Sequence, residues 1–226
     1  MSRNDCTEIV KKEFNFGWKA GGFGNPSNRL ALEFQKGNIL EVGCGTCRLY
    51  NFLSQNGWTG KYVGIDAQRH EGYAYPAGVE LMIGDAFTLT FPKTDTVLLY
   101  YVLEHVEDPC ALLSKAIDSC QENVLLCVPK RNEALWDIGI VEGHQLDRTH
   151  QHCGFSKEEV NKIVRLSGGE IRSYRDMSAI NATVGVSLWN SPIPRCAVMF
   201  LSKLFSSKIF YRDMWCEVVK ADEKCG

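Results

Sequence analysis

The sequence predicts an α/β fold with a doubly wound, mostly parallel sheet of seven strands, and two observations support this fold class. First, an apolar run leads into Gly43 and Gly45, and a segment with helical apolar spacing follows at once. This is the pattern of a strand, a tight turn and a helix. Second, residues 123–129 form an almost continuous apolar run, which is typical of a parallel strand buried on both faces. We expect six parallel strands, with the last strand of the chain antiparallel.

Size and charge restrict the number of domains and the kinds of partner. The chain has 226 residues, of which 45% are hydrophobic and 23% are charged, enough for one domain or for one domain with a lid. A formal net charge of −2 gives no bulk attraction to nucleic acid or to acidic membranes, so we expect neither as a partner. The ten cysteines are scattered and no secretory signal precedes them, so a cytoplasmic location is expected. No apolar run approaches the roughly 18 residues of a membrane span.

The amino-terminal residues 1–37 are polar at first and then rich in aromatic residues and glycine. They end in a short helical segment at 28–34. We interpret residues 1–37 as a flap, and a simple cover over the sheet edge is the alternative. A single domain is expected over residues 38–220, followed by a tail at 221–226.

The turn at Gly43 and Gly45 is a candidate ligand cradle, because glycines let the backbone bend sharply and the following helix offers unpaired N–H groups. A dinucleotide site would need a third glycine where this chain has Arg48, and Glu41 is foreign to that pattern. The segment from Glu41 to Cys47 instead resembles the E/D-x-G-x-G-x-G first motif of class I S-adenosylmethionine-dependent methyltransferases, with Cys47 in place of the last glycine. The resemblance implies cofactor-binding roles for Glu41, Gly43, Cys44 and Gly45.

Two more candidate cofactor contacts follow later strands. The strand predicted at 61–66 ends in Asp66, whose two carboxylate oxygens match the two hydroxyls of a ribose. A helix N-cap is the alternative role for this residue. A third strand, predicted at 79–83, leads into a G-D-A segment that resembles the adenine-binding segment of the family. The residues implied in these contacts are Asp66, Ala67, Gly84, Asp85 and Ala86.

Residues 95–109 carry the longest resemblance, to the family segment D-x-V-x-x-x-x-V-L-E-H-V-x-D-P. In the family this strand opens into a turn beside the transferred methyl group. The resemblance therefore implies that Tyr100 borders the cofactor and that Tyr101 borders the acceptor. His105 is interpreted either as a helix cap or as a residue of the site.

The second half of the chain continues the alternation of helices and strands. Ser156 and Glu159 form a capping box at the start of one helix. The predicted helices are 110–119 and 157–166, and the predicted strands are 123–129, 170–177 and 214–220. An insertion at 178–209 is interpreted as a lid over the acceptor or as a self-association face that would form a homodimer. A core helix is the alternative for its apolar run.

Three of the five histidines fall within residues 144–152. The unperturbed pKa of histidine allows it to accept a proton near neutral pH, so His144 or His152 is expected to act as a base, with Asp147 as its partner. A metal site is a second interpretation, and an ordinary polar segment exposed to solvent is a third. The segment has no familiar spacing of metal ligands, and we predict no metal. The candidate catalytic residues are His105, His144 and His152. The candidate acceptor-binding residues are Trp18, Arg29, Tyr101, Lys130, His150 and Phe155.

The resemblance as a whole implies a Rossmann-like methyltransferase fold that transfers a methyl group from S-adenosyl-L-methionine to an oxygen, nitrogen or carbon atom. No N/D-P-P-Y run follows the fourth strand, and together with the mild acidity this favours a small-molecule acceptor over nucleic acid bases. Two alternatives remain: a nicotinamide-dependent oxidoreductase, and a non-catalytic protein that binds S-adenosylmethionine as a regulatory partner.

Overall fold

The computed structural model describes residues 26–131, 147–178 and 211–221. The α-helices in these residues are α1 (Pro26–Phe34), α2 (Arg48–Gln55), α3 (Pro109–Ser119) and α4 (Lys157–Leu166). The strands are β1 (Ile39–Val42), β2 (Tyr62–Asp66), β3 (Val79–Ile83), β4 (Thr94–Tyr100), β5 (Cys120–Pro129), β6 (Gly169–Ser178) and β7 (Tyr211–Lys220). A short 3-10 helix, Leu103–His105, follows β4.

The seven strands form one sheet in the order β3-β2-β1-β4-β5-β7-β6. Strands β1 to β5 are mutually parallel, and β7 lies antiparallel between β5 and β6. Because β6 is antiparallel to β7, it runs in the same direction as β1 to β5. The predicted fold class is therefore confirmed, including six strands in one direction and an antiparallel last strand.

Helices cover both faces of the sheet, which explains the continuous apolar sequence of its central strands. On one face, apolar residues of α1 and α2 pack with Ile39 and Leu98. On the other face, apolar residues of α3 and α4 pack with Leu40 and Val97. Successive side chains of a strand point to opposite faces, so β1 and β4 each contribute to both cores.

The helix starts agree with the sequence in one case and correct it in another. Ser156 and Glu159 form both hydrogen bonds of the predicted capping box at the start of α4. Of the two interpretations of His105, the helix cap was wrong, because His105 ends the 3-10 helix and Asp108 caps α3 by accepting a hydrogen bond from the Ala111 N–H.

Some predictions fall on residues outside the described ranges. These are Trp18, His144, almost all of the insertion at 178–209, most of the flap at 1–37, and the tail beyond residue 221. The domain boundaries remain predictions as well. Among the helices of the described ranges, none has the length and apolar character needed to cross a membrane.

Candidate functional site

The candidate site lies at the carboxyl edge of β1 to β4, where the loops that follow four neighbouring parallel strands meet. Strand β1 leads into the glycine turn, β2 ends at Asp66, β3 leads into Gly84, and β4 leads into Tyr101. In open α/β sheets this edge is where ligands bind. The fold therefore brings the predicted cofactor-binding segments to one edge of the sheet.

The glycine turn has the left-handed backbone that its sequence indicates. Gly43 has a φ of 72° and Gly45 a φ of 52°. The backbone N–H groups of Gly43 and Cys44 both donate to the Ile65 carbonyl, at 2.8 and 3.0 Å, which fastens the turn to β2. A Cβ atom on Gly43 would lie 2.5 Å from Cγ2 of Val102. Glycine is needed here both for the backbone conformation and for the close approach of the loop after β4.

Cys47 replaces the last glycine of the motif and still has a left-handed backbone, with a φ of 54°. Its thiol and that of Cys44 are buried and free. A Cβ atom on Gly64 would lie 2.8 Å from Sγ of Cys44 and 3.4 Å from Sγ of Cys47, so the two thiols pack together on β2. A hydrogen bond from Cys44 lowers the pKa of the Cys47 thiol. Cys47 therefore adopts the left-handed conformation that a glycine favours, and it places a second thiol beside Gly64.

Asp66 bridges the glycine turn and the loop after β2. Its Oδ2 accepts the Gly45 N–H at 2.7 Å and its Oδ1 accepts the Gln68 N–H at 3.2 Å. Each carboxylate oxygen retains a second lone pair, so the group is able to accept two more hydrogen bonds. Residues 67–78 contain no helix, and the N-cap alternative for Asp66 was therefore wrong. Ala67 is exposed beside it.

The loop after β3 combines a polar turn with exposed apolar groups. The Gly84 N–H donates to the Asp66 carbonyl at 2.9 Å, and Oδ1 of Asp85 accepts the Phe87 N–H at 2.9 Å. Ile83 and Phe87 are 42% and 40% exposed. Large apolar side chains that are exposed at the ligand-binding edge of the sheet can pack against the face of an aromatic ring. The carbonyl of Ala86 accepts a hydrogen bond from Nζ of Lys115 at 2.8 Å, which holds the loop against α3.

Glu41 lies in the interior, within β1. It is 7% exposed, and the Tyr62 hydroxyl donates a hydrogen bond to its carboxylate. Burial raises the pKa of Glu41 from its ordinary 4.5 to about 8, against the opposing effect of this hydrogen bond. The side chain is therefore a buried acid of β1, on the face of the sheet that α1 and α2 cover.

The two tyrosines at the end of β4 make long-range contacts with β7 and α1. The buried Tyr100 hydroxyl accepts the Trp215 Nε1–H at 3.0 Å and donates to the Ser27 carbonyl at 3.2 Å. Tyr101 has a φ of 57°, and its hydroxyl donates to Oδ2 of Asp213 at 2.9 Å. A tyrosine with a left-handed backbone is uncommon and carries local strain, which such residues show most often at functional sites.

The histidine-rich segment packs on the 3-10 helix that follows β4. The backbone N–H groups of Gln151 and His152 donate to the Glu104 carbonyl at 2.8 and 3.1 Å. The rings of His105 and His150 meet edge to face, with 4.5 Å between their centroids. Segments that lie about 45 residues apart in sequence are thereby joined beside the carboxyl edge of β4.

Glu104 is a further candidate site residue that was not predicted from the sequence. It is 1% exposed, and burial raises its pKa to about 8, with the neighbouring Asp213 and Asp147 acting in the same direction. Its Oε2 has no hydrogen-bond partner within the described part of the chain. The signal was present in the sequence, since an acid stands within the apolar run of the quoted V-L-E-H-V segment.

The remaining candidate residues divide into a cluster, one lysine that forms an ion pair, and one exposed arginine. The His152 ring stacks on the buried Phe155 at 5.3 Å, and its Nε2 lies 3.1 Å from the Val106 carbonyl. The backbones of Lys130 and Phe155 form an isolated parallel β-bridge. The Nζ atom of Lys130 forms a salt bridge with Asp176 at 2.9 Å. Arg29 is exposed on α1. His105, His150, His152 and Phe155 thus form one neighbourhood.

Comparisons with known proteins agree with this geometry. A model of the methyltransferase domain family matches residues 25–174. A comparison with curated proteins finds no match.

Several solved structures share the fold at low sequence identity. A chain of the complex between a methyltransferase and its activator from Haloferax volcanii is 12% identical, with a TM-score of 0.64, and the match covers 96% of this chain and 94% of that one. The 1,6-didemethyltoxoflavin-N1-methyltransferase of Burkholderia thailandensis is 12% identical, with a TM-score of 0.59 over 97% and 87% of the two chains. The magnesium protoporphyrin IX methyltransferase of Synechocystis is 17% identical, with a TM-score of 0.51 over 97% and 82%.

Proposed function

This chain belongs to the methyltransferase domain family and is an S-adenosylmethionine-dependent methyltransferase, and we propose that it methylates an oxygen, nitrogen or carbon atom of a small-molecule acceptor. The observation that carries the proposal is the packing of the histidine-rich segment on the loop after β4, through the two hydrogen bonds to the Glu104 carbonyl. We infer that this packing forms a second wall of polar and aromatic groups on the loop after β4, whose Val102 approaches Gly43 of the glycine turn, and that an acceptor would meet the cofactor there.

The residues at the carboxyl edge fit S-adenosylmethionine. A Cβ atom on Gly45 would meet no atom of residues 26–131, 147–178 or 211–221 within 4 Å, so these residues leave space directly over the turn. The Asp66 carboxylate accepts one backbone N–H on each oxygen and keeps lone pairs for two ribose hydroxyls. The exposed Ile83 and Phe87 supply an apolar surface for the adenine. These observations support cofactor-binding roles for the glycine turn, Asp66 and the Gly84–Ala86 segment.

A small acceptor fits the charge of the protein and the composition of the second wall. The net charge of −2 opposes the accumulation of a polyanion at the surface. The described part of the second wall consists of His105, His150, His152 and Phe155. An aromatic ring with a few polar groups is the usual lining of a small-molecule site. A small aromatic or heteroaromatic acceptor would suit these groups.

The reaction needs alignment more than activation by the protein. When bound, S-adenosylmethionine supplies a methyl group that is already activated by the positive sulfur. The chain must hold the nucleophile in line with the methyl group, exclude water, and remove a proton where the nucleophile carries one. The Gly43 turn closely approaches Val102, and Tyr101 has a left-handed backbone. We propose that the boundary between the cofactor side and the acceptor side lies at these residues.

His152 is the described histidine best placed to accept that proton. Its Nε2 donates to the Val106 carbonyl at 3.1 Å, which leaves a lone pair on Nδ1. The stacking on Phe155 fixes the plane of the ring. Asp147, expected as a partner, contacts Thr149 and His150 instead. His144 remains a second candidate base from the sequence.

An acceptor screen tests the proposal. The purified protein would be incubated with S-adenosylmethionine and with panels of phenols, amines, heteroaromatic compounds and nucleic acid fragments, and products would be detected by the mass of one added CH₂. We expect a product in a small-molecule panel. Methylation of the nucleic acid fragments alone would contradict the small-molecule acceptor.

Once an acceptor is found, a conservative variant tests the base. In His152→Gln the side-chain amide keeps a donor for the Val106 carbonyl but has no basic nitrogen. We expect turnover to fall by about 10²- to 10⁴-fold, with affinity for S-adenosylhomocysteine unchanged. His70→Gln, at a histidine of the β2–β3 loop, is the matched control. Equal turnover in the two variants would remove His152 from the chemistry.

A further inference from the structure

We propose that Glu104, His105 and His150 form a binding site for a divalent transition-metal ion, with Zn²⁺ the ion that the ligand set suits best. One ligand atom from each of the three side chains lies within 4.8 Å of the other two. Zinc binds histidine nitrogen and carboxylate oxygen at about 2.0–2.2 Å, so small rotations of these side chains would complete the coordination. This proposal revises the prediction of no metal. The metal interpretation of the sequence had considered His144, Asp147, His150 and His152 as ligands, and of these only His150 belongs to the set proposed here.

The hydrogen bonds around His105 leave a lone pair on its Nε2 atom. The Thr149 hydroxyl donates its single proton to Oδ1 of Asp147, at 2.7 Å. The same hydroxyl oxygen lies 3.0 Å from Nδ1 of His105, and the Thr149 carbonyl lies 3.3 Å from it. Two acceptors therefore face Nδ1, which must carry the ring proton. A histidine that binds a metal through one nitrogen typically donates its other N–H in this way.

Two buried atoms of the other side chains also lack a partner within the described ranges. These are Oε2 of Glu104 and Nδ1 of His150. Glu104 is 99% buried, being 1% exposed, and the His150 side chain is 7% exposed, with its Nε2 3.9 Å from Oδ2 of Asp147. An unpaired buried carboxylate oxygen and an unpaired imidazole nitrogen are each unfavourable. A cation between them would satisfy both.

The combination of donors indicates the class of ion. Two imidazoles and one carboxylate suit zinc and the neighbouring transition metals, whereas magnesium and calcium prefer oxygen ligands alone. Three protein ligands leave at least one coordination position for water or another small ligand, as in catalytic zinc sites.

The backbone holds the three ligands in place. Glu104 and His105 belong to the 3-10 helix after β4, and His150 follows the turn at Asp147 and Thr149. The hydrogen bonds from Gln151 and His152 to the Glu104 carbonyl fix the two segments against each other. A site whose ligands are held before the ion arrives needs little reorganisation to bind it.

Metal binding can be measured without an acceptor. Protein stripped with a chelator and then dialysed would be titrated with Zn²⁺ against a chromophoric chelator, and with Co²⁺ while its visible spectrum is followed. We expect one equivalent of Zn²⁺ to bind, and Co²⁺ to give the d–d bands of a site with nitrogen and oxygen ligands, without the charge-transfer band that cysteine thiolates produce.

Variants then identify the ligands. Glu104→Gln keeps the shape of a buried side chain, and His105→Ala changes an exposed one, so at least one of them should fold. Both variants should fail to bind the one equivalent of Zn²⁺, whereas His70→Ala should still bind it. The proposal is overturned if the unaltered protein binds no ion, if Co²⁺ shows thiolate ligation, or if folded Glu104→Gln and His105→Ala both retain one equivalent.

Discussion

The backbone N–H of Gly45 donates to the Asp66 carboxylate across 2.7 Å, so the glycine turn after β1 and the acid at the end of β2 form one unit. Asp66 thereby has two effects that are separable in principle. It shapes the turn through a charge-assisted hydrogen bond, and it offers lone pairs to a ligand over the turn. The side chain predicted to hold the ribose also helps to build the cradle.

Replacing Asp66 by alanine should weaken the binding of S-adenosylhomocysteine by about 1–3 kcal/mol, as expected for loss of charge-assisted hydrogen bonds at a partly buried site. Isothermal titration calorimetry would measure the change. Asp95→Ala is the matched control, because Asp95 also accepts a backbone N–H, from Asn38 at 2.6 Å, but at the start of β4. Equal affinities of the two variants would exclude a ribose contact by Asp66.

Replacing Gly43 by alanine should destabilise the protein and reduce cofactor affinity, because the new Cβ would overlap Cγ2 of Val102 at 2.5 Å in a left-handed backbone. Gly57→Ala is the control for backbone strain alone, since Gly57 has a φ of 88° and a Cβ atom there would meet no described residue within 4 Å. We expect Gly57→Ala to lower the free energy of unfolding by about 1–2 kcal/mol and Gly43→Ala to lower it by about 1–3 kcal/mol more. Urea denaturation would measure both values.

The double variant Gly43→Ala with Val102→Ala tests the origin of that difference. Removing the Val102 methyl groups relieves the overlap but leaves the backbone strain. Part of the lost cofactor affinity should return. If Gly43→Ala is no more harmful than Gly57→Ala, the contact with Val102 does not determine the choice of glycine.

The buried Glu41 should make stability fall as the pH rises. Its pKa is about 8 in the folded protein and 4.5 ordinarily, so between these values the folded state holds a proton that the unfolded state has released. The contribution of Glu41 to the free energy of unfolding is complete below pH 4.5 and is lost as the pH rises through 8. The loss is at most about 1.4 kcal/mol per pH unit. Glu41→Gln should flatten the profile of unfolding free energy measured between pH 5 and pH 8.

Tyr62→Phe tests the ionisation of Glu41 in the opposite direction, by raising the pKa of its carboxyl group instead of removing that group. The Tyr62 hydroxyl bonds to the Glu41 carboxylate and lowers its pKa, so its removal should extend the loss of stability to higher pH. Glu104, whose pKa is also raised to about 8, contributes equally to all three proteins, so only differences between them report on Glu41. Identical slopes in the unaltered protein and in Glu41→Gln would rule out the raised pKa.

Replacing Tyr100 by phenylalanine should lower the free energy of unfolding by about 1–3 kcal/mol, because the buried Trp215 N–H would lose its acceptor. Tyr75→Phe is the control, since the Tyr75 hydroxyl accepts the His70 N–H in a more accessible loop. Urea denaturation would compare the two. If Tyr100→Phe lowers the free energy of unfolding no more than Tyr75→Phe does, the Trp215 N–H must find another hydrogen-bond acceptor.

Local features of the sequence were sufficient for the fold class and for the candidate cofactor side. The two glycines, the acid at Asp66 and the capping box at Ser156 depend on neighbours within a few residues or on the strand order of a common sheet. The candidate acceptor side was harder to predict, because Glu104 and His150 lie 46 residues apart and come close only in the folded chain. The partner of Tyr100 is similarly remote, since Trp215 comes from β7.

The position of β7 also affects the order in which the protein can be completed during synthesis. This strand emerges last among the seven, yet its place is between β5 and β6. Until residues 211–220 leave the ribosome, β5 has an open edge, and β6 lacks the only strand with which it pairs in the described sheet. Open edges of this kind readily pair with strands of other chains. A nascent chain stalled or truncated before β7 is therefore expected to be a substrate for chaperones or proteases.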